Sequence, residues 1–495
     1  MDELKQSCHE LSLPVTEKCN PISRDIDRVN GKQMVQILRK CDAEIFEKKN
    51  HDPFHQRLYS SPVIQTMVDV AKRVEMMLRD PEESLIVLSG CGTSGRIAFL
   101  LVAPFVAGQL DFCLKHLDVF TPVLLGFNPV HMARSEPMQD CSFHFKDVAE
   151  RMIAEQRHKK AFVLNPVLGA EAISGSSRMK GGSATKIILE SILLAGHEAA
   201  FRGKRVTPEC ISAWITASEM VYETTYSHSD ELAALIHQAG ESLQMKAHVY
   251  YIGWQTLGII GLTDASECVP TFGADFDDIR GFINNGFREM KNKEGDLSFL
   301  GPEFVIGHKD FVDTILPSLS QNDVMLFLFT VNDDLHEVTA LADQVRRRTS
   351  NLHAIAHDLE KFTIPETVCN MFGTVLHITW SFSSEEVNSR QRWELSTKWC
   401  LNAISTGAHV LKGKVYMNYM IDLRVTNSKL YRRAINILQR FTGCSKGECE
   451  RALLRAIYST DDLSEDMTSA DVWKHTDVAN RRDQVRTRLF IFTIC

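Results

Sequence analysis

Long hydrophobic runs are missing from this 495-residue chain. The longest apolar stretch, Ile97 to Gly108, holds about a dozen residues and contains Pro104, whereas a bilayer needs ~20. No membrane association is expected. The amino terminus, MDELKQSCHE, is polar and acidic and lacks the apolar core of a secretion signal. No block of like charge interrupts the chain, so neither a basic arm nor an acidic tail is present. The net charge of -8 argues against broad nucleic-acid binding, which needs a basic face. Thirteen cysteines are scattered without a single CxxC pair, and the nearest pair, Cys444 and Cys449, has no histidine beside it. An odd number in a large chain reads as reduced thiols in a reducing compartment, with no metal site and no cofactor.

What is present is an ordinary globular balance, 44% apolar and 24% charged, in a chain long enough for about three domains of ~150 residues. Residues 1–55 read as an arm with two prolines and a helix, in which Met34, Val35, Ile37 and Leu38 recur at helical spacing. From about residue 60 the pattern turns α/β. Val63 to Leu78 is an amphipathic helix, and Ser84 to Ser89 is a short apolar run of the kind buried in a parallel sheet. Further strands are expected at Val123–Gly126 and Ala161–Leu164, and a long helix from about Ser183 to Ala195. A weak repeat follows: Val249 to Gly253, then Gln255 to Ile259, echoes Ile86 to Gly90, then Thr93 to Ile97. Strands at Val324–Phe329 and Thr374–Ile378 complete a second unit, giving two similar domains in tandem. Beyond about 385 the pattern is helical, for example Leu430 to Phe441.

The chemistry concentrates in three segments. Gly92-Thr93-Ser94-Gly95-Arg96 joins the first apolar run to a helix start. Such a turn presents free backbone N–H groups and the positive end of a helix dipole, and its glycines let a phosphate approach. The loop has neither the Lys-Ser/Thr ending of a Walker loop nor a GxGxxG pattern, and it could equally be a tight turn without a ligand. Leu168 to Lys186 is dense in glycine, hydroxyls and cations, and suits either a second phosphate contact or an exposed loop. In Thr263 to Cys268, Glu267 could take hydrogen bonds from sugar hydroxyls or act as a base; it could also be a surface glutamate near a helix end.

Together these segments resemble a known family. GCGTSGR following a strand is similar to the phosphosugar-binding motif of sugar-isomerase (SIS) domains. TEKCNPISRDID, GSSRMKGGSATK, DASECVPTFG and TNSKLYRRA resemble, in the same order, segments of N-acetylmuramic acid 6-phosphate etherases. RLYS, APFVAGQ, GWQTLGII, ELSTKW and STGAHVL extend the likeness to the vertebrate relatives of those enzymes, the glucokinase regulatory proteins. The resemblance runs from about residue 13 to about 480. It implies two tandem SIS domains, flavodoxin-like and doubly wound, capped by a C-terminal α-helical lid. Their expected limits are 56–235, 236–385 and 386–495. It implies a non-enzymatic inhibitor of glucokinase in cytoplasm and nucleus, strengthened by fructose 6-phosphate and relieved by fructose 1-phosphate. It further implies a phosphosugar site built from Gly92, Thr93, Ser94, Ser177, Glu267 and the lid residue Lys429.

Two departures qualify this. Leu100-Leu101-Val102 runs straight into Ala103-Pro104-Phe105, where the family carries an AGG-type turn, an acidic residue that touches the sugar, a helix, a strand and a second serine-rich phosphate loop. Pro104, ten residues after Ser94, comes too soon for a complete doubly wound domain. The last ten residues, Arg486 to Cys495, do not continue the lid's helical pattern. Both point to a splice variant or an altered gene model, in which the first SIS domain is expected to be shortened near residues 100–103 and the lid truncated. The alternatives are an etherase-like lyase using Glu267, or a truncated form with impaired ligand binding.

Overall fold

The structure is a computed structural model, and it describes residues 13–49, 55–90, 103–133, 143–291, 295–381 and 389–481. After three single turns between residues 15 and 28, helix α1 (Gly31–Ala43) starts at a capping box in which Asn30 and Gln33 satisfy each other's backbone N–H groups. The first α/β unit follows: α2 (Ser61–Arg79), α3 (Ala103–Lys115), β1 (Val123–Leu125), α4 (Phe145–Gln156), β2 (Phe162–Leu164) and α5 (Lys180–Arg202). Two helices, α6 (Pro208–Ser227) and α7 (Ser229–Gln244), lead to the second unit. That unit holds β3 (Val249–Gly253), α8 (Gln255–Phe272), β4 (Ile279–Ile283), β5 (Val324–Thr330), α9 (Leu335–Arg346), β6 (Leu352–Leu359), β7 (Val375–Trp380) and α10 (Ser389–Leu411). A two-residue hairpin, β8 (Val415–Tyr416) with β9 (Tyr419–Met420), precedes the terminal helices α11 (Ser428–Thr442), α12 (Lys446–Tyr458) and α13 (Val472–Arg481).

The second unit is a complete five-stranded parallel sheet in the order β4-β3-β5-β6-β7, the doubly wound arrangement. Every residue of central β5 is buried. One face packs under Tyr250, Trp254, Phe327, Phe329 and Phe372, and the other joins a core that runs through the arm, α5, α7, α10 and the terminal helices. In such sheets the crevice for a ligand lies beyond the strand ends where the order reverses, here beside the β3–α8 turn. Trp254 fills that turn, packed against Phe327 and Phe329 and donating to Glu337 (3.3 Å). The second unit therefore has an aromatic plug where a phosphate loop would lie.

The first unit is shorter. Its parallel pair β1–β2 is the only sheet among its described residues. The buried strand expected at Ser84–Ser89 is not one: the segment joins no sheet among the described residues, with Leu85, Val87 and Leu88 exposed by 79%, 72% and 47%. Apolar β-formers bury themselves only against neighbouring strands, and none is placed beside this one among the described residues. Helix α5 starts at Lys180, three residues before its expected start, and reaches Arg202. Strands β4 and β6 were not anticipated. No helix among the described residues is long and apolar enough to cross a membrane.

The second unit and the hairpin region meet at Gly273, the left-handed cap of α8 (φ 58°), where an added Cβ would lie 1.8 Å from the carbonyl oxygen of Asp422. Gly203 caps α5 with a similar φ (68°) but faces open space. Gly203→Ala should cost about 1 kcal/mol, the left-handed penalty alone. Gly273→Ala adds a backbone clash and should cost at least ~2 kcal/mol more in denaturant unfolding. Equal losses would show that the Gly273–Asp422 approach is not tight.

Candidate functional site

The hydroxyl- and cation-rich segment 168–183 is not an exposed loop. It is buried over most of its length and held from four sides. Glu171, 1% exposed, accepts the N–H groups of Lys180 (3.0 Å) and Gly181 (2.9 Å), so its carboxylate caps the first turn of α5. Burial pushes its pKa up to about 7, against the pull of Lys180 and those two N–H donors. The Lys180 ammonium pairs with Glu44 and donates to the carbonyls of Ala170 (2.8 Å) and Leu168 (3.2 Å), tying the segment to the end of α1.

Arg178 anchors the same segment to the second unit. It is buried, donating to Asp264 on α8 (2.9 Å) and to Ser405 (3.0 Å) and Thr406 (2.8 Å) on α10, above the ring of Phe272. Tyr251 from β3 donates to the other Asp264 oxygen (3.3 Å). Lys398, two turns earlier on α10, donates to the Arg178 carbonyl (2.9 Å) and to Ser183 Oγ (3.0 Å). Asn402 bridges Lys398 (2.8 Å) and Asp264 (3.1 Å) with its amide oriented to suit both. Burial pulls the Lys398 ammonium down to about 8, although Asp42, Asp264 and Glu267 favour its charge.

The arm and the terminal helices close the remaining sides. Gly175 N–H donates to the Thr16 carbonyl (3.0 Å), and Ser174 N–H to that of Asn418 (2.9 Å). Arg433 on α11 donates to both Glu17 oxygens (2.9 and 2.7 Å) and to the Gly175 carbonyl (2.8 Å). Asn128, in the turn after β1, holds Thr16 through its N–H (3.1 Å) and its hydroxyl (3.0 Å).

The expected site residues fall as follows. Gly92, Thr93 and Ser94 lie outside the described residues. Ser177 is half-buried in the turn before α5, and its carbonyl accepts the Gly182 N–H (2.8 Å). Glu267 is 4% exposed inside α8, one turn beyond Asp264, so it is not a surface glutamate. It lies within electrostatic reach of both Arg178 and Lys398, which joins it to the Ser177 turn. Lys429 belongs to a second cluster, with its ammonium 3.9 Å from Glu17 beside Gly175. Buried Ser176 Oγ and Arg178 Nε, flanking Ser177, have no hydrogen-bond partner among the described residues. No group of three metal-ligating side chains is assembled among those residues. Arg178, Lys398, Arg433 and Glu17 were not singled out, although each lies in a motif already noted. A motif shows that charges are present, not which of them turns inward.

Breaking one half of a buried pair leaves the other charge uncompensated, at about 3–5 kcal/mol. Asp264→Asn and Arg178→Met should each lower unfolding stability by that much, and the double variant by clearly less than the sum; additive losses would deny the coupling. The pH dependence has a defined sign. Glu171 (to about 7) and Asp42 (to about 6) are both raised by burial above their ordinary values. They bind protons more tightly folded than unfolded, so their contribution is present at low pH and is lost as pH rises through about 6 to 7. Melting temperature measured across that window should fall with rising pH, and Glu171→Gln should flatten the slope.

With this geometry in place, comparison with known proteins is decisive. The description "Glucokinase regulatory protein N-terminal SIS domain" matches residues 69–103, and "Glucokinase regulatory protein, second SIS domain" matches 226–412. The "C-terminal lid domain of glucokinase regulatory protein" matches 417–489. The Xenopus laevis glucokinase regulatory protein is 41% identical over 548 aligned positions, covering 96% of this chain and 88% of its own length. The human one is 42% identical, covering 97% and 88%. An N-acetylmuramic acid 6-phosphate etherase of Clostridium botulinum (strain Eklund 17B / Type B) is 32% identical over 45% of this chain and 70% of its own. The first-domain match stops at residue 103, and the alignments exceed the chain's 495 residues, so the relatives carry residues that this chain lacks. The resemblance read from the motifs is thus borne out, and the chain belongs to the glucokinase regulatory protein family, with two tandem SIS domains, the first of them truncated, and a C-terminal lid.

Proposed function

We propose that this protein regulates glucokinase without chemistry of its own, fructose 6-phosphate promoting inhibition and fructose 1-phosphate relieving it. The names and coverage of its curated relatives support glucokinase as the partner. One structural observation supports a ligand-gated mechanism. The 174–183 segment, which carries Ser177, is gripped at once by the second SIS unit through Asp264 and Lys398 and by the lid through Arg433. A phosphosugar held by Gly92, Thr93, Ser94 and Ser177, with Glu267 and Lys429 reaching it from the other two bodies, would bias their relative arrangement. It can do so only by its difference in affinity for the two arrangements. We infer cytoplasm and nucleus as its compartments from the same family likeness.

The etherase likeness, at 32% identity over 45% of the chain, keeps a lyase as the second reading. Such an elimination needs a base for the proton that is removed and an acid for the leaving oxygen. Glu267 stands among Arg178 and Lys398, which suits an ion-network role.

Fructose 6-phosphate at ~100 times its dissociation constant should add about 2.7 kcal/mol to stability, seen as a raised melting temperature. Lys429→Ala and Glu267→Gln should each weaken binding by about tenfold or more, the range for a charged hydrogen bond. The chain should inhibit glucokinase in a coupled assay, more strongly with fructose 6-phosphate. Micromolar protein that leaves glucokinase unchanged with and without the sugar would end this reading. Lactate release from N-acetylmuramic acid 6-phosphate would favour the lyase.

A further inference from the structure

Lys429 and Arg433 lie one turn apart on α11 and converge on one carboxylate, that of Glu17. The Arg433 contact is a two-point fork, and both its side chains are largely shielded, 8% and 18% exposed. Such charge-assisted pairs are strong and geometrically specific. Lys429 is 43% exposed and 3.9 Å away, so it adds less. Glu17 does not reach this place by chance of rotamer. Its own carbonyl accepts from Ser174 Oγ (2.9 Å), and the preceding residue, Thr16, is fixed to Gly175 and to both ends of the Asn128 amide. The arm therefore delivers a negative charge to the lid cations, two residues from Ser177 on the same loop.

A phosphate group competes well for such a pair, having up to two charges and three acceptor oxygens against a carboxylate's one charge and two. We propose that Glu17 is an internal counter-anion of the lid, competing with the phosphate of an incoming phosphosugar for Arg433 and Lys429. The proposal rests on Lys429 being a ligand contact, as read above. Two consequences follow from the competition. Docking of the arm and binding of phosphate at the lid oppose each other, and by reciprocity each weakens the other by the same factor. Phosphosugars are also sorted by where their phosphate falls. Fructose 6-phosphate, with its phosphate turned toward α11, must expel Glu17, whereas a ligand that turns a hydroxyl there leaves it in place.

The full-length chain tests this with fructose 6-phosphate as the probe, by calorimetry and thermal shift. Glu17→Gln keeps the side chain's size and removes its charge, and should bind the sugar about tenfold more tightly than the parent, within the usual range of such couplings. Glu17→Asp keeps the charge but withdraws it by one methylene; it should fall between the two and serves if the glutamine variant folds poorly. Lys18→Gln, which alters arm charge next door, should change affinity less than about twofold. Limited trypsin cleavage after Lys18 and Arg24 should be faster in Glu17→Gln, and fructose 6-phosphate should speed it in the parent alone. Equal or weaker sugar binding by Glu17→Gln, with the parent binding normally, overturns the competition while leaving the proposed function standing. If neither protein binds the sugar, the proposed function fails instead, and cleavage decides the arm contact: unchanged rates overturn it, and faster cleavage in the variant upholds it.

Discussion

The arrangement turns on one buried cation. Arg178 belongs to the first unit by sequence, yet its guanidinium spends its N–H groups on Asp264 of α8 and on two hydroxyls of α10, both in the second unit. Its backbone carbonyl is held in return by Lys398. A guanidinium taken out of water needs most of its donors matched, and here the partners of both Nη groups come from the neighbouring body. The two units are thus joined by the requirement that Arg178 stay paired, in addition to apolar contact. Everything attached to the 168–183 segment inherits that position: the cap on α5, the Ser177 turn, and the carbonyl that receives Arg433.

This explains how a first unit with only a two-stranded sheet among its described residues can still present an ordered loop. Its helices α2 and α5 share the large core with the arm, with α7 and α10, and with the terminal helices. The order of the loop is imposed from that side. The sheet side is where the missing residues tell, at Leu85, Val87 and Leu88, which face solvent, and at Val123 on the outer β strand, 39% exposed. A strand edge that has no partner among the described residues, with apolar neighbours, is the kind that invites pairing with another chain.

Legibility in the sequence followed locality. Strand β5 could be read because Val324 to Phe329 is apolar without interruption. Strands β4 and β6 could not, because Arg280 interrupts one and His353, His357 and Asp358 the other, even though β6 is buried throughout. Residues 84–89 were misread for the converse reason: propensity is local, but membership of a sheet requires neighbours. The two glycines at 181 and 182 hid the first turn of α5, which Glu171 stabilises from ten residues upstream. The motifs located segments that meet in the structure, and Glu267 lies in the interior. Which cations face the loop depends on helix phase against a partner body, and that is written in no single segment.

The pairing of Glu17 with Arg433 spans 416 positions of chain. During synthesis the arm emerges first, and the residue that fixes it emerges among the last. Asn418, which the arm also holds through the Asn20 carbonyl (3.0 Å), comes nearly as late. Contacts of such sequence separation form slowly, since a long loop must close before they contribute. The amino-terminal strap therefore completes its contacts late. Until α11 has been made, the segment from Thr16 to Ser23 can dock only on the first unit, at Asn128, Ala170, Ala172 and Gly175, without the hold of Asn418 and Arg433.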